Sequence, residues 1–185
     1  MRSKRISRRA FALGLTAAPL GCGAALRAAA DARPADDDGL AHGAAAIHQE
    51  VSFAATPARV YRALTRTADF DAVTRLSDGA QRLAAPGAQP TAIGTGPGAE
   101  FTLFGGYITG RHLELAPGVR LVQAWRAGSW GAGEYSVVRF ALEGAGAGTL
   151  LVFDHRGFPD AQGPSLAHGW RVHYWEPLAM FLAQR

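Results

Sequence analysis

Six histidines, at positions 42, 48, 112, 155, 168 and 173, are the side chains of this sequence best suited to proton transfer or metal binding near neutral pH. Their spacing does not suit a metal. His168 and His173 stand five residues apart, about 140° round a helix, so they cannot share one ion. The single cysteine, Cys22, lies near the N-terminus and leaves the rest of the chain with neither a disulfide nor a thiol nucleophile. No Gly-x-Ser-x-Gly elbow is present. The run Gly144, Gly146, Gly148 lacks the Lys-Ser/Thr of a phosphate loop and joins two strand-like runs, so it reads as a hairpin turn. Glu100, Glu114 and Glu134 are spread over different strands. The chemistry left open is general base catalysis by His155 or His173, with Gln123 or Tyr174 as donor. No cofactor is expected.

The elements that must position these residues can be read from periodicity. Pro164 to Arg185 is the longest candidate helix, with Leu166, Trp170, Tyr174, Pro177, Leu178 and Phe181 recurring at steps of three and four. Trp170 and Phe181 are too large to leave in water, so a broad surface must cover that stripe. Pro177 removes a backbone bond to the His173 carbonyl and should bend the helix. Upstream, Ala46 to Phe53 alternates as a half-buried strand. Thr56-Pro57 starts a helix that runs to about Thr67, and a second short helix covers Ala68 to Leu76 with Phe70 and Val73 inward. Ser77 to Gly98 is a loop-rich crossing with room for a short strand near Gln81 to Ala84. Then come strand-like runs joined by tight turns: Ala99 to Phe104, Tyr107 to Leu115, Val119 to Arg126, Glu134 to Leu142 and Thr149 to Arg156. Hairpin after hairpin with no helix between excludes a doubly wound parallel sheet. The expected fold is α+β, a curved antiparallel sheet of six or seven strands wrapped on the C-terminal helix.

Alternation then assigns faces. Arginines face water, so Leu121, Gln123 and Trp125 point inward, as do Ser136, Val138, Phe140 and Leu142, and Leu151, Phe153 and His155. Adding Phe101, Leu103, Trp170, Tyr174 and Phe181 gives a largely aromatic and aliphatic lining, in which Gln123, Ser136, His155 and His173 are the polar guests. Such a lining suits an apolar ligand oriented by one or two hydrogen bonds. Each of these residues has a plainer reading as filled core, and His155 as a satisfied core or rim histidine. Trp130, at a loop tip, reads as a lid or as an exposed aromatic.

Charge and leader bound the partners. Residues 33–185 carry 13 basic and 14 acidic side chains, a net of −1, too little basic excess to hold a nucleic acid. The basic surplus sits in residues 1–32, where Arg2, Lys4, Arg5, Arg8 and Arg9 precede the apolar run Ala10 to Leu20 and the small-residue sites near Ala30 and Ala32. That run is too short for a stable membrane span. Ser7-Arg8-Arg9-Ala10-Phe11-Ala12-Leu13 resembles a twin-arginine export motif, which implies the export machinery as a partner and a periplasmic or secreted destination. Lipidation at Cys22, in Leu20-Gly21-Cys22, is the lesser alternative. Residues 33–45 read as a flexible linker and 46–185 as the folded domain.

The order of elements, with five stretches, resembles the START-like helix-grip superfamily (SRPBCC), in its branch named after the activator of heat-shock protein 90 ATPase. The stretches are Thr56 to Thr65, Phe104 to Gly110, Pro117 to Trp125, Gly148 to His155, and Gly169-Trp170 with Tyr174 to Leu178. The resemblance implies a seven-stranded antiparallel sheet round the helix with a hydrophobic cavity between, but no single chemistry. Three readings follow: a binding module for a small hydrophobic molecule, a cyclase- or hydrolase-like enzyme using His155 or His173, and a structural protein with a filled core. The export leader and the lack of a basic docking surface argue against a cytosolic co-chaperone role.

Overall fold

In β1 (Ala46–Phe53), Ile47 and Phe53 are buried and their neighbours exposed, as a strand with one covered face requires. The computed structural model describes residues 46–77 and 86–184. The leader, the linker and the short strand expected near Gln81 to Ala84 lie outside them. Thr56 caps the next element, its hydroxyl accepting from the Arg59 N–H at 3.4 Å, and Pro57 opens α1 (Pro57–Thr65). α2 (Thr67–Thr74) follows and buries Phe70 and Val73. The meander is β2 (Ala92–Ile93), β3 (Glu100–Leu103), β4 (Ile108–Ala116), β5 (Arg120–Ala127), β6 (Ser136–Ala145) and β7 (Gly148–Arg156).

These strands form one seven-stranded sheet in the order β1-β7-β6-β5-β4-β3-β2. All six pairings are antiparallel. Register aligns the inward residues in rows across the strands. Ile47, His155, Val138, Gln123 and His112 form one row, and Ser136, Trp125, Gly110 and Phe101 another. Gly110 is required in the second row. A Cβ there would lie 2.1 Å from the Ala124 carbonyl oxygen and 2.4 Å from Phe101 Cζ, so the Phe101 ring occupies that space.

The C-terminal helix comprises α3 (Gly163–Trp170), a π-helical turn (Arg171–Trp175) and α4 (Glu176–Ala183). The π turn ends where Pro177 removes a donor: the Glu176 N–H reaches back five residues to the Arg171 carbonyl. Ser77, three residues past α2, donates its hydroxyl to the Val172 carbonyl at 3.3 Å, so part of the loosened backbone is satisfied from outside the helix. Trp175 Nε1 donates to Gln49 Oε1 at 2.6 Å and Gln49 Nε2 donates to the Ala167 carbonyl at 3.0 Å, clamping the helix to β1. No helix among the described residues is long and apolar enough to cross a membrane.

Candidate functional site

The concave face has two halves. Under the middle of the helix, aromatic rings fill it. Phe153 and Trp170 lie 4.4 Å apart, Phe140 and Phe153 5.2 Å, and Trp170 stacks on Trp175 at 5.6 Å. At the other end, between the β3–β4 hairpin and α3, a cleft of about 260 Å³ remains open. It is lined by Phe104, Tyr107 and Ile108 from the hairpin, Trp125 from β5, and Ser165, Leu166, His168, Gly169, Trp170, His173 and Tyr174 from the helix.

The hairpin wall depends on its turn. Phe104, Gly105 and Gly106 have successive positive φ values of 51°, 70° and 93°. Glycine takes that region freely, whereas Phe104 holds it at a cost of about 1–3 kcal/mol. The conformation brings the Phe104 ring against Tyr174 at 5.2 Å, Phe70 at 5.7 Å and His173 at 6.3 Å. On the opposite wall Gly169 leaves room, because a Cβ there would meet only His173 Cδ2, at 3.9 Å.

Polar groups divide between the halves as well. In the filled half the Trp170 indole N–H donates to His155 Nδ1 at 3.0 Å. An indole can only donate, so the His155 proton sits on Nε2 and is given to Ser136 Oγ at 2.7 Å. The Ser136 hydroxyl passes its own proton to the Trp125 carbonyl at 3.1 Å. Burial pushes the His155 pKa down to about 3, so the ring stays neutral. Both its nitrogens are occupied, and it positions two tryptophans of the cleft wall. Asp154, its neighbour in sequence, is on the convex face, bonded to His48 and Arg139. In the wall of the cleft the pattern reverses. Trp125 Nε1 and Tyr174 Oη are buried beside each other, and neither makes a hydrogen bond of normal geometry with any described residue. Burial pushes the Tyr174 hydroxyl well above the usual phenol range, against the opposing effect of the Trp125 indole N–H beside it, so it stays protonated. No group of three or more metal-ligating side chains occurs among the described residues.

A family model described as Activator of Hsp90 ATPase homolog 1-like protein matches residues 54–183. The chain belongs to this family. The human activator of 90 kDa heat shock protein ATPase homolog 1 is 23% identical over 125 residues, which is 68% of this chain and 33% of that protein. An uncharacterized protein of Schizosaccharomyces pombe is 29% identical over 97 residues, 52% of this chain and 29% of that one. The chain thus spans about a third of the length of these curated relatives. Among solved structures, an HSP90 activator from Plasmodium falciparum superposes with a TM-score of 0.62 at 21% identity, covering 74% of this chain and 95% of that one. CalU16 from Micromonospora echinospora gives 0.59 at 21% identity, covering 76% and 78%. These likenesses establish the Hsp90-activator-like, helix-grip fold.

Within this family member, three of the residues read from sequence as cavity-lining meet at the cleft: Trp125, Trp170 and Tyr174. His173, the second histidine candidate, joins them. Phe101, Leu103, Leu121, Val138, Phe140, Leu151 and Phe153 face the same side but are packed in the core, with Gln123, Ser136 and His155 buried among them. Phe181 is half-buried against that core. Trp130 is neither lid nor exposed aromatic. It is 4% exposed, and its indole N–H donates to Gln162 Oε1 at 2.7 Å. Sequence reasoning missed the hairpin wall of Phe104, Tyr107 and Ile108. From sequence, Gly105-Gly106 reads as a turn and Phe104 as the end of the strand before it.

Proposed function

We propose that this protein is exported and holds a small hydrophobic molecule in the cleft between the β3–β4 hairpin and the C-terminal helix. The observation that carries the reading is the cleft itself: about 260 Å³ walled by Phe104, Ile108, Trp125, Trp170 and Tyr174. That volume is just below the usual range of about 300–1,000 Å³ for small-molecule sites, which suits a ligand of two or three rings. Binding without turnover is favoured by the histidines. His155 has both nitrogens engaged away from the cleft, and His173 reaches the cleft without it. The relatives named as activators of a heat-shock protein ATPase suggest a protein partner instead, but the twin-arginine-like leader directs this chain away from the cytosol. The test is native mass spectrometry of the protein recovered from periplasm. A co-purified small molecule is expected, and Gly169→Leu, whose Cβ would meet only the His173 ring at 3.9 Å and whose side chain would occupy the cleft, should lose it. A protein that carries no such molecule, and whose melting temperature no lipophilic compound raises, would overturn the reading.

A further inference from the structure

The unpartnered atoms in the cleft wall narrow the ligand class. Tyr174 is 6% exposed and Trp125 3%, and neither Oη nor Nε1 makes a hydrogen bond of normal geometry with any described residue. A buried polar atom without a partner is held at a free-energy cost that a ligand can relieve. The polar groups round the filled half are matched: Trp170 to His155, His155 to Ser136, Ser136 to the Trp125 carbonyl, Trp130 to Gln162, and Trp175 to Gln49. Of the four buried atoms without a partner among the described residues, His112 Nε2 and Arg126 Nε belong to residues outside the cleft lining, and Trp125 and Tyr174 are the two that line the open volume. Both can donate, and Tyr174 stays protonated, so together they suit an acceptor that carries no proton of its own.

Resting on the cleft reading above and deepening it, we propose that the ligand is an aromatic or fused-ring compound bearing a carbonyl oxygen, and that Tyr174 Oη–H and Trp125 Nε1–H bind that oxygen. The ring system lies between Phe104 and Trp170, where flat apolar faces are already in place. The Trp125 indole N–H lies beside Tyr174 Oη without hydrogen-bond geometry, so an oxygen pressing into the wall between them competes only with that loose contact, and the Tyr174 proton has no acceptor to give up. A cationic or anionic head group finds no such counterpart there, because no Asp, Glu, Lys or Arg among the described residues lines the cleft.

Alpha-tetralone, a bicyclic aromatic ketone, and tetralin, the same skeleton without the oxygen, separate the two levels of the argument. Transfer from water favours tetralin, so any preference for the ketone must come from hydrogen bonds. Calorimetric titration of the periplasm-purified protein should show the ketone binding at least about tenfold more tightly. Tyr174→Phe should erase most of that preference, read as the ratio of the two affinities, and it should fold, since the ring is kept and the atom removed makes no hydrogen bond of normal geometry. Trp125→Phe, with its melting temperature measured alongside, should weaken the ketone further. Equal binding of both compounds, or a ketone preference that survives both substitutions, overturns the oxygen anchor and leaves the apolar cleft standing. Binding of neither compound removes the cleft reading and this inference together.

Discussion

The two halves of the concave face are built from the same kinds of residue and behave differently. Under the middle of the helix, Phe140, Phe153, Trp170 and Trp175 pack ring on ring, and each indole or imidazole nitrogen among them has a partner. At the hairpin end, Phe104, Trp125 and Tyr174 face open volume, and two polar atoms have none. Aromatic content alone therefore does not mark a site. What distinguishes the second half is unfilled space beside unmatched polar atoms, two features a folded interior normally eliminates.

The comparison breaks if the filled half tolerates cavities. Phe153 is fully buried and its ring contacts Phe140, Trp170 and Trp175. Phe153→Ala should cost about 3–5 kcal/mol in urea unfolding. Tyr174→Phe, one ring away across the cleft, should change stability by no more than about 1 kcal/mol and in the stabilising direction. Similar losses from both would mean the cleft is as tightly packed as the core.

A smaller effect comes from His155. Its folded pKa, about 3, lies below the ordinary 6.5, so between those values the unfolded chain binds the extra proton. The contribution of His155 is complete above about pH 6.5 and falls as pH drops, by about 1.4 kcal/mol per pH unit. By pH 4.5 the loss is about 2–3 kcal/mol. His155→Gln removes the titration and should flatten that slope in pH-dependent denaturation, although it also lowers stability at neutral pH. A slope unchanged in His155→Gln would show that the imidazole is not kept neutral by the fold.

The fold was legible because its signals are local. Arg120 and Arg126 on β5, and Arg139 on β6, declare which face meets water, and period two then places Leu121, Gln123, Trp125, Val138 and Phe140 inward. Thr56-Pro57 declares a helix start in the same way. The site was less legible because filling is not local. Alternation places Phe153 and Trp125 on one face, but only the crossing helix decides that Phe153 is covered and Trp125 borders a gap. Trp130 shows the same limit. A tryptophan among glycines reads as a loop tip, yet Gln162, 32 residues on, draws it inside. Phe104 escaped because a non-glycine residue in the left-handed region has no sequence signature, and that conformation makes it a wall of the cleft.

The smallest effect tests whether the acid slope belongs to the concave face at all. Asp154 and His155 are adjacent but point to opposite sides, and Asp154 also titrates abnormally. Burial raises its pKa, but hydrogen bonds from His48 and Arg139 outweigh this and hold it below the ordinary 3.8. A depressed carboxylate gives stability that is present above its unfolded value and lost only as pH falls through the folded one, so Asp154 acts below about pH 3.8. His48 has the opposite sign. The hydrogen bond that His48 donates to the Asp154 carboxylate raises its pKa above 6.5, so its contribution is full below that value and lost as pH rises through the folded one. On the convex surface this is a solvent-screened term. His48→Ala should therefore leave the slope between pH 4 and 6 as it is and remove only a shallow decline on the alkaline side. A His48→Ala variant that flattened the acid limb would reassign it from the buried imidazole to the surface network.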